Sequence, residues 1–419
     1  MTIPVVEAPP APPQSRPARL SVLFLTVFID LVGFGIVLPL LPLYADGFGA
    51  SGTAVGLLVM SYSVAQFFMA PFWGRLSDRY GRRPILIVGL VGSGVAYLVF
   101  AWSTSLAWLF ASRILAGIGG STVPVAEAYI ADVTPPERRA GNMGLIGAAF
   151  GLGFIVGPAA GGILAGVSFQ MPGYVAAGLC FLNAVLALIL LRESLPAEGR
   201  ARARPAPFRF TGTGLTRALR TPALRHVLAL YFLFTVAFAV IQPTLSLFGQ
   251  ARFALDSRQV GYLFAFLGLI SAIVQGALVR LAAPRTGEAW LVRFAGIPFV
   301  AGLILMALAP SIPVLLAAIA LLALGYGAAL PAILGIVSRV APPALQGGVL
   351  GVGQSVGSLA RIAGPALAGA AFDVGLAVPY LLGASVAALA TILAAGLPSG
   401  MPGGPTADGP RPASAGGAL

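Results

Sequence analysis

The chain contains no lysine, a single cysteine and a single histidine among its 419 residues. Each shortage removes a class of mechanism. A Walker-type GxxxxGK[ST] loop needs its lysine to reach nucleotide phosphates, so ATP-driven chemistry of that kind lacks its central part. A zinc site or a histidine-based triad has only His226 and Cys180 to draw on, which leaves a membrane-embedded enzyme as a distant alternative. Cys180 has no partner for an intramolecular disulfide and reads as packing inside an apolar run. Charge is scarce as well: 9% of residues are Asp, Glu, Lys or Arg, against 58% hydrophobic and a mean hydropathy of +0.94. That is too little charge to cover a soluble globule of this length, and it marks a polytopic membrane protein. Alternation with period two, the signature of a transmembrane barrel, is absent.

What the chain does have is about twelve apolar runs, each near the ~20 residues a helix needs to cross a bilayer. They are drawn at Leu20–Tyr44, Ala54–Arg75, Pro84–Trp102, Leu106–Ile130, Gly141–Gly166 and Gly173–Leu191, then at Leu224–Phe248, Gln259–Leu281, Ala289–Leu308, Ile312–Val340, Gly348–Phe372 and Val378–Leu397. The expected fold class is an all-α polytopic membrane protein with two pseudo-symmetric six-helix bundles. The expected domains are a disordered tail at 1–18 with no cleavable signal peptide, a first bundle at 19–192 and a central loop at 193–222. A second bundle at 223–397 and a Gly/Pro/Ala-rich disordered tail at 398–419 follow.

All basic residues are arginine, and 21 of the 25 fall on one side if the N-terminus is inside. By the positive-inside rule both termini are then cytoplasmic, in the plasma membrane of a prokaryote. The arginines sit in short loops between apolar spans, which argues against a nucleic-acid partner; the expected partners are the lipid bilayer, protons and a small organic substrate, with the chain a monomer. The central loop reads as a solvated linker, or as one attracted to anionic lipid head groups.

The halves echo each other. Shifting by 207 places Pro135-Pro136 on Pro342-Pro343, Gly141 on Gly348, Gly144 on Gly351, Gly157-Pro158 on Gly364-Pro365, Gly162 on Gly369 and Pro124 on Pro331. Two halves of equal topology imply a pseudo-twofold axis along the membrane normal and a substrate cavity between them.

Two stretches stand out. From Gly147 to Leu164 the chain carries no charge, and Gly153, Gly157 and Gly161 recur every fourth residue, a bare helical stripe that lets two backbones touch. From Gly74 to Pro84 it reads GRLSDRYGRRP, with Asp78, Arg79, Arg82 and Arg83 packed around a turn that Gly74 and Gly81 permit. This second segment resembles the signature loop of the major facilitator superfamily, matching GxLxDRxGRR. Gly144, Gly153, Gly157-Pro158 and Gly161-Gly162 resemble the antiporter motif of that superfamily's proton-coupled drug exporters. Leu109 to Gly119, through Arg113 and Gly117, resembles its fourth-span RxxxG motif, and DLVGFGIVLPLLP from Asp30 to Pro42 its first-span motif. The first half is especially similar to tetracycline/proton antiporters.

The resemblance implies proton-coupled efflux of drug-like compounds by alternating access, with no cofactor and the proton gradient as energy source. It also implies an inner latch in which Asp78, Arg82 and Asp132 engage the start of span eleven near Gly348. The corresponding second-half stretch, Gly276 to Arg285, lacks the acid, so an asymmetric latch is expected. A sugar or metabolite exporter, or an uptake carrier, is the alternative on the same fold.

Charges inside spans are costly and therefore informative. Asp30 lies near mid-depth, where its carboxylate either takes up and releases a proton or is a structural acid paired with a base. Arg113 is the expected partner, a guanidinium that stays charged and tunes the acid; the resemblance supports it in proton coupling. Glu127 joins either the inner arginine cluster or a proton relay. Arg361 either meets an anionic group, pairs with an acid, or is structural. The remaining polar inventory of the cavity includes Tyr62, Gln66, Gln242, Gln275, Tyr326 and Gln354, and with abundant Phe it suits a large, largely apolar organic ligand.

Overall fold

The computed structural model describes residues 17–120, 122–195, 221–340 and 346–397; the expected tails and most of the central loop lie outside them. In lipid each backbone N–H and C=O must be satisfied within its own segment, so long apolar runs become helices. In the first half, α1 runs Pro17–Val37 and resumes after Leu38 and Pro39 as Leu40–Gly47. Then come α2 (Gly52–Tyr80), α3 (Arg82–Ala101), α4 (Leu106–Gly119, resuming as Thr122–Val133), α5 (Pro136–Ala165) and α6 (Met171–Leu190). In the second half, α7 is Pro222–Ala239 and Ile241–Phe253, and α8 is Ser257–Ile273, a π-helical stretch Val274–Val279 and Arg280–Thr286. They are followed by α9 (Glu288–Leu308), α10 (Ile312–Val340), α11 (Gln346–Val374) and α12 (Val378–Ala394).

Twelve helical segments thus stand where twelve were expected, with no strand among the described residues. Ten are long and apolar enough to cross a membrane and α12 is a shorter apolar helix. The remaining one, α11, breaks its apolar run with Gln354, Ser355, Ser358, Arg361 and several glycines.

One boundary corrects the sequence reading. The stretch Gly74 to Pro84 is helical except at Gly81: Gly74 lies inside α2, and Gly81, at φ 107°, turns the chain alone. The Pro124–Pro331 echo also has two outcomes, since α4 is interrupted just before Pro124 whereas α10 runs unbroken through Pro331.

Packing follows the repeat. In the first half α5 lies along α1: added Cβ atoms on Gly153, Gly157 and Gly161 would collide with Leu31, Gly35 and Ile36. In the second half α11 lies along α7, with Gly364 against Val236 and Ala239. The bare stripe therefore serves a contact within the first half, and the halves meet through other faces of α5 and α11.

Candidate functional site

The halves meet at the face opposite the arginine-rich turn. There Gly56 of α2 lies against Pro365 and Gly369 of α11, and Gly261 of α8 lies against Pro158 and Gly162 of α5. In both places a Cβ on the first glycine would stand 3.0 Å from the second glycine's Cα. Asp373, at the end of α11, closes one side further: its carboxylate accepts from Gly52 N (2.6 Å), Thr53 N (2.8 Å) and Thr53 Oγ1 (2.5 Å), capping the start of α2 from the other half. The broken ends of α1 and α7 add a third contact, where Ser246 Oγ donates to Pro39 O at 2.6 Å.

Toward the arginine-rich face the same helix faces part. On α5 the residues facing α8 run from Gly162 and Pro158 to Gly151, which touches Ala272. Gly147 and Gly144, one and two turns further along that face, meet nothing within 4 Å, nor do Gly276 on α8 and Gly74 on α2. A wedge therefore opens between the halves toward the arginines and narrows to the glycine seal. Of the antiporter-motif residues, Gly153, Gly157 and Gly161 face α1, Pro158 and Gly162 face α8, and Gly144 faces open space.

At the arginine-rich face the structure brings Asp78, Arg82 and Asp132 together. The Arg82 guanidinium is 2.6 Å from Asp78 Oδ1 and 3.0 Å from Asp132 Oδ2, and it donates to Ser77 Oγ at 2.6 Å. Two further groups complete the knot. Glu193, just past α6, accepts from Arg82 N (2.8 Å) and Arg83 N (3.2 Å) and so caps α3. Ser194 Oγ donates to Asp132 at 2.9 Å. Arg83 donates to Leu188 O, and Arg79 lies over the Tyr80 ring. Gly81 is required twice, by its positive φ and because a Cβ there would run into the Glu193 carboxylate. The expected partner of Asp78 at the start of α11 falls where side chains are not described, at 346–351.

The second-half stretch Gly276 to Arg285 holds no acid, but the turn that follows it does. Gly287, at φ 79°, makes the one-residue turn between α8 and α9, and Glu288 directly after it pairs with Arg339 near the end of α10. Asp132 and Arg339 are 207 residues apart, so the repeat keeps the tie between turn and fourth helix while exchanging its charges. Glu288 lies just beyond the stretch that matches the first-half loop by residue type, and it comes into register only when the positions after the two turn glycines are compared.

The mid-span charges also depart from expectation. Asp30, 8% exposed, accepts from Thr122 Oγ1 at 2.6 Å, and no ion pair to Arg113 is found. Arg113 and Thr122 are nine residues apart on α4, about 13 Å at 1.5 Å per residue, so Arg113 sits a different level up the helix. Its guanidinium, 2% exposed, lies over the rings of Tyr97 (5.8 Å) and Phe100 (5.9 Å), with one contact to Ser112 Oγ at 3.5 Å and Nη2 without a hydrogen-bond partner. The Tyr97 ring also packs against α1, facing Gly33 one turn along from Asp30. Glu127 is half-buried on α4, and the Arg82 ion pairs run to Asp78 and Asp132.

Aromatic pairs from both halves line the upper wedge. Phe34 stands 5.2 Å from Tyr62 and 6.1 Å from Phe154, while Phe238 stacks on Tyr326 at 3.8 Å. Gln66 Nε2 donates to Tyr62 Oη (3.2 Å) and Gly120 O (3.1 Å), which ties α2 to α4. Gln242 is half-buried, whereas Gln275 and Gln354 are exposed. Arg361 is half-buried on α11, donates to Ser358 Oγ at 3.1 Å, and has no acid partner among the described residues.

Two six-helix halves related by a repeat, sealed at one face and parted at the other, define a multi-pass membrane transporter of the two-bundle kind. The chain belongs to the Major Facilitator Superfamily, whose profile matches residues 23–365. It is 38% identical over 274 residues to the class C tetracycline resistance protein of Escherichia coli, covering 64% of this chain and 68% of that one. The crystal structure of the human organic anion transporter MFSD10 (TETRAN) superposes with a TM-score of 0.71 at 29% identity, covering 92% of this chain and 100% of the other. A bacterial homologue of the human lysosomal transporter Spinster, inward-facing and occupied, shares the fold with a TM-score of 0.74 at 16% identity, covering 91% of this chain and 96% of its own. The family resemblance read from the first-half motifs is thereby borne out.

Proposed function

We propose that the protein is a proton-coupled exporter of amphipathic drug-like compounds, working by alternating access from a prokaryotic plasma membrane. The observation that carries this reading is a buried carboxylate, Asp30, in the half whose aromatic side chains line the wedge. A carboxylate held by a single hydroxyl has a state to gain on protonation, and a ligand in the wedge has a conformation to select; a protein that prefers different conformations for each couples the two. The tetracycline resistance relatives support export. The arginine-rich face is assigned to the cytoplasm by charge, so the described conformation opens inward and receives substrate there. The aromatic lining favours a largely apolar ligand over a sugar.

The test is transport into inside-out vesicles under an imposed pH gradient, across a panel of amphipathic compounds, with Asp30→Asn beside the parent. At least one compound accumulates in parent vesicles and dissipates the gradient, and Asp30→Asn abolishes its accumulation against a gradient. Undiminished uphill transport by the variant rules out Asp30 as the coupling acid, and no gradient-linked transport of any compound rules out proton-driven export.

A further inference from the structure

Below the seal, α2 and α11 continue the faces that touch above it. On α11 the face of Pro365 and Gly369 leads through Arg361 and Ser358 to Gln354, at steps of three and four residues. On α2 the face of Gly52 and Gly56 leads on to Ser63, with Tyr62 and Gln66 on its flank toward α4. Arg361 and Tyr62 therefore stand a few turns below the seal, one on each half, with the Tyr62 hydroxyl within electrostatic reach of the guanidinium. Arg361 carries a permanent charge that no carboxylate neutralises among the described residues, and its one hydrogen bond is to Ser358 on its own helix. Tyr62 accepts from Gln66, and its hydroxyl lies beside Gly120 of α4. The nearest acids to consider, Asp30 and Glu127, sit on α1 and α4 of the first half, with Asp30 turned to Thr122.

A guanidinium in a low-dielectric cleft is expensive unless something pairs with it, and its planar fork matches a carboxylate or sulfonate. We infer that the wedge recognises an organic anion, its acidic group held by Arg361 with the Tyr62 hydroxyl as second donor. Its ring system lies between Phe34 on one wall and the stacked Phe238 and Tyr326 on the other. The acid-bearing end points up toward the seal and the apolar body fills the aromatic zone. Because Arg361 belongs to the second half and Tyr62 to the first, an anion bridging them draws the walls together. The inference rests on the wedge being the substrate site and is independent of what drives transport.

The experiment is equilibrium binding by calorimetry to the full-length protein in detergent, with no pH gradient, using 2-naphthoate, its uncharged isostere 2-naphthamide and the cation 2-naphthylmethylammonium. The parent binds naphthoate about tenfold or more tighter than naphthamide, and the ammonium weakest. Arg361→Gln removes the preference by lowering naphthoate affinity far more than naphthamide affinity, and Arg361→Lys keeps part of it, since an ammonium retains charge but not the fork. Tyr62→Phe lowers naphthoate affinity severalfold, and naphthamide affinity less. Equal binding of acid and amide by the parent, tighter binding of the cation, or a preference that survives Arg361→Gln overturns the inference. A variant that loses the cooperative melting of the parent is replaced in the comparison by Arg361→Lys, where a reduced but remaining preference for naphthoate supports charge recognition and its loss or reversal overturns it. Failure of proton-linked export with anion preference intact sinks only the export reading.

Discussion

At the sealed face the halves make one contact twice: Gly56 meets Pro365 and Gly369, and Gly261 meets Pro158 and Gly162, with the same 3.0 Å approach. At the arginine-rich face the halves have parted, and each ties its own turn with opposite charges, Arg82 to Asp132 in one and Glu288 to Arg339 in the other. Backbone-to-backbone packing tolerates no side chain on either half, so duplication left it symmetric. A salt bridge depends only on there being one charge of each sign, so duplication left it free to reverse. The first half then gathered additional groups, Asp78, Ser77 and Glu193, that the second half's pair does not show. The symmetric face is built for a contact that makes and breaks, and the asymmetric face for distinct partners.

The comparison breaks most visibly at the seal. Gly56→Leu or Gly261→Leu places a side chain against a carbonyl at closest approach, and either alone is expected to hold that face open. The check is the distance between spin labels at the outer ends of α2 and α11, which lengthens in either variant; an unchanged distribution refutes the seal.

The turns come next. Gly81→Ala adds a strained positive φ, roughly 1–3 kcal/mol, and a collision with Glu193, whereas Gly287→Ala adds the strain alone because nothing lies within 4 Å. Thermal melting in detergent is expected to fall clearly more for Gly81→Ala, and equal losses would remove the case for Glu193 as a cap.

Charge exchange sharpens the comparison further. Glu288→Arg lowers the melting temperature and Glu288→Arg with Arg339→Glu restores most of it, because the pair is self-contained. Arg82→Asp with Asp132→Arg does not recover, since an acid at 82 faces Asp78 and Glu193. Recovery in both halves would show the ties to be equivalent.

The smallest effect concerns Asp373. Partial burial works against its charge, but hydrogen bonds from the Thr53 side chain and from the Thr53 and Gly52 amides hold its carboxyl below the ordinary carboxylate range. A lowered pKa means the cap is fully present above the ordinary value of about 3.9 and is lost as pH falls through the lowered one. Between pH 5 and 8 the seal is therefore expected to be insensitive to pH through this residue, and Asp373→Asn to shift the spin-label distribution slightly toward open. A strong shift in the parent between pH 5 and 8 that Asp373→Asn abolishes contradicts this.

How much was legible depended on how local the cause was. The gathering of Asp78 and Arg82 follows from their closeness in sequence on either side of the Gly81 turn, and the bare stripe of α5 was readable from its period. Which helix the stripe touches was not, because a period of four residues gives a face without naming its neighbour. The Asp30–Arg113 expectation failed for the same reason: depth in the membrane was estimated for each residue separately, while their levels are set by how α1 and α4 pack. Glu193 and Asp373 find their partners 111 and 321 residues away, and no local pattern announces that. Glu288 had a signal, its place directly after a glycine where the first half has Arg82, visible only when turns are aligned by position.

Glu193 stands where the first six helices end, and it is bonded to the start of the third helix of that same set. The chain leaving for the second half thus departs from a moored point. Tension along it arrives first at Ser194 and Glu193, which hold Asp132 and the Gly81 turn, as a rope's load arrives at its cleat, so lengthening or stiffening the connection is a way of adjusting the arginine knot without substituting any of its members.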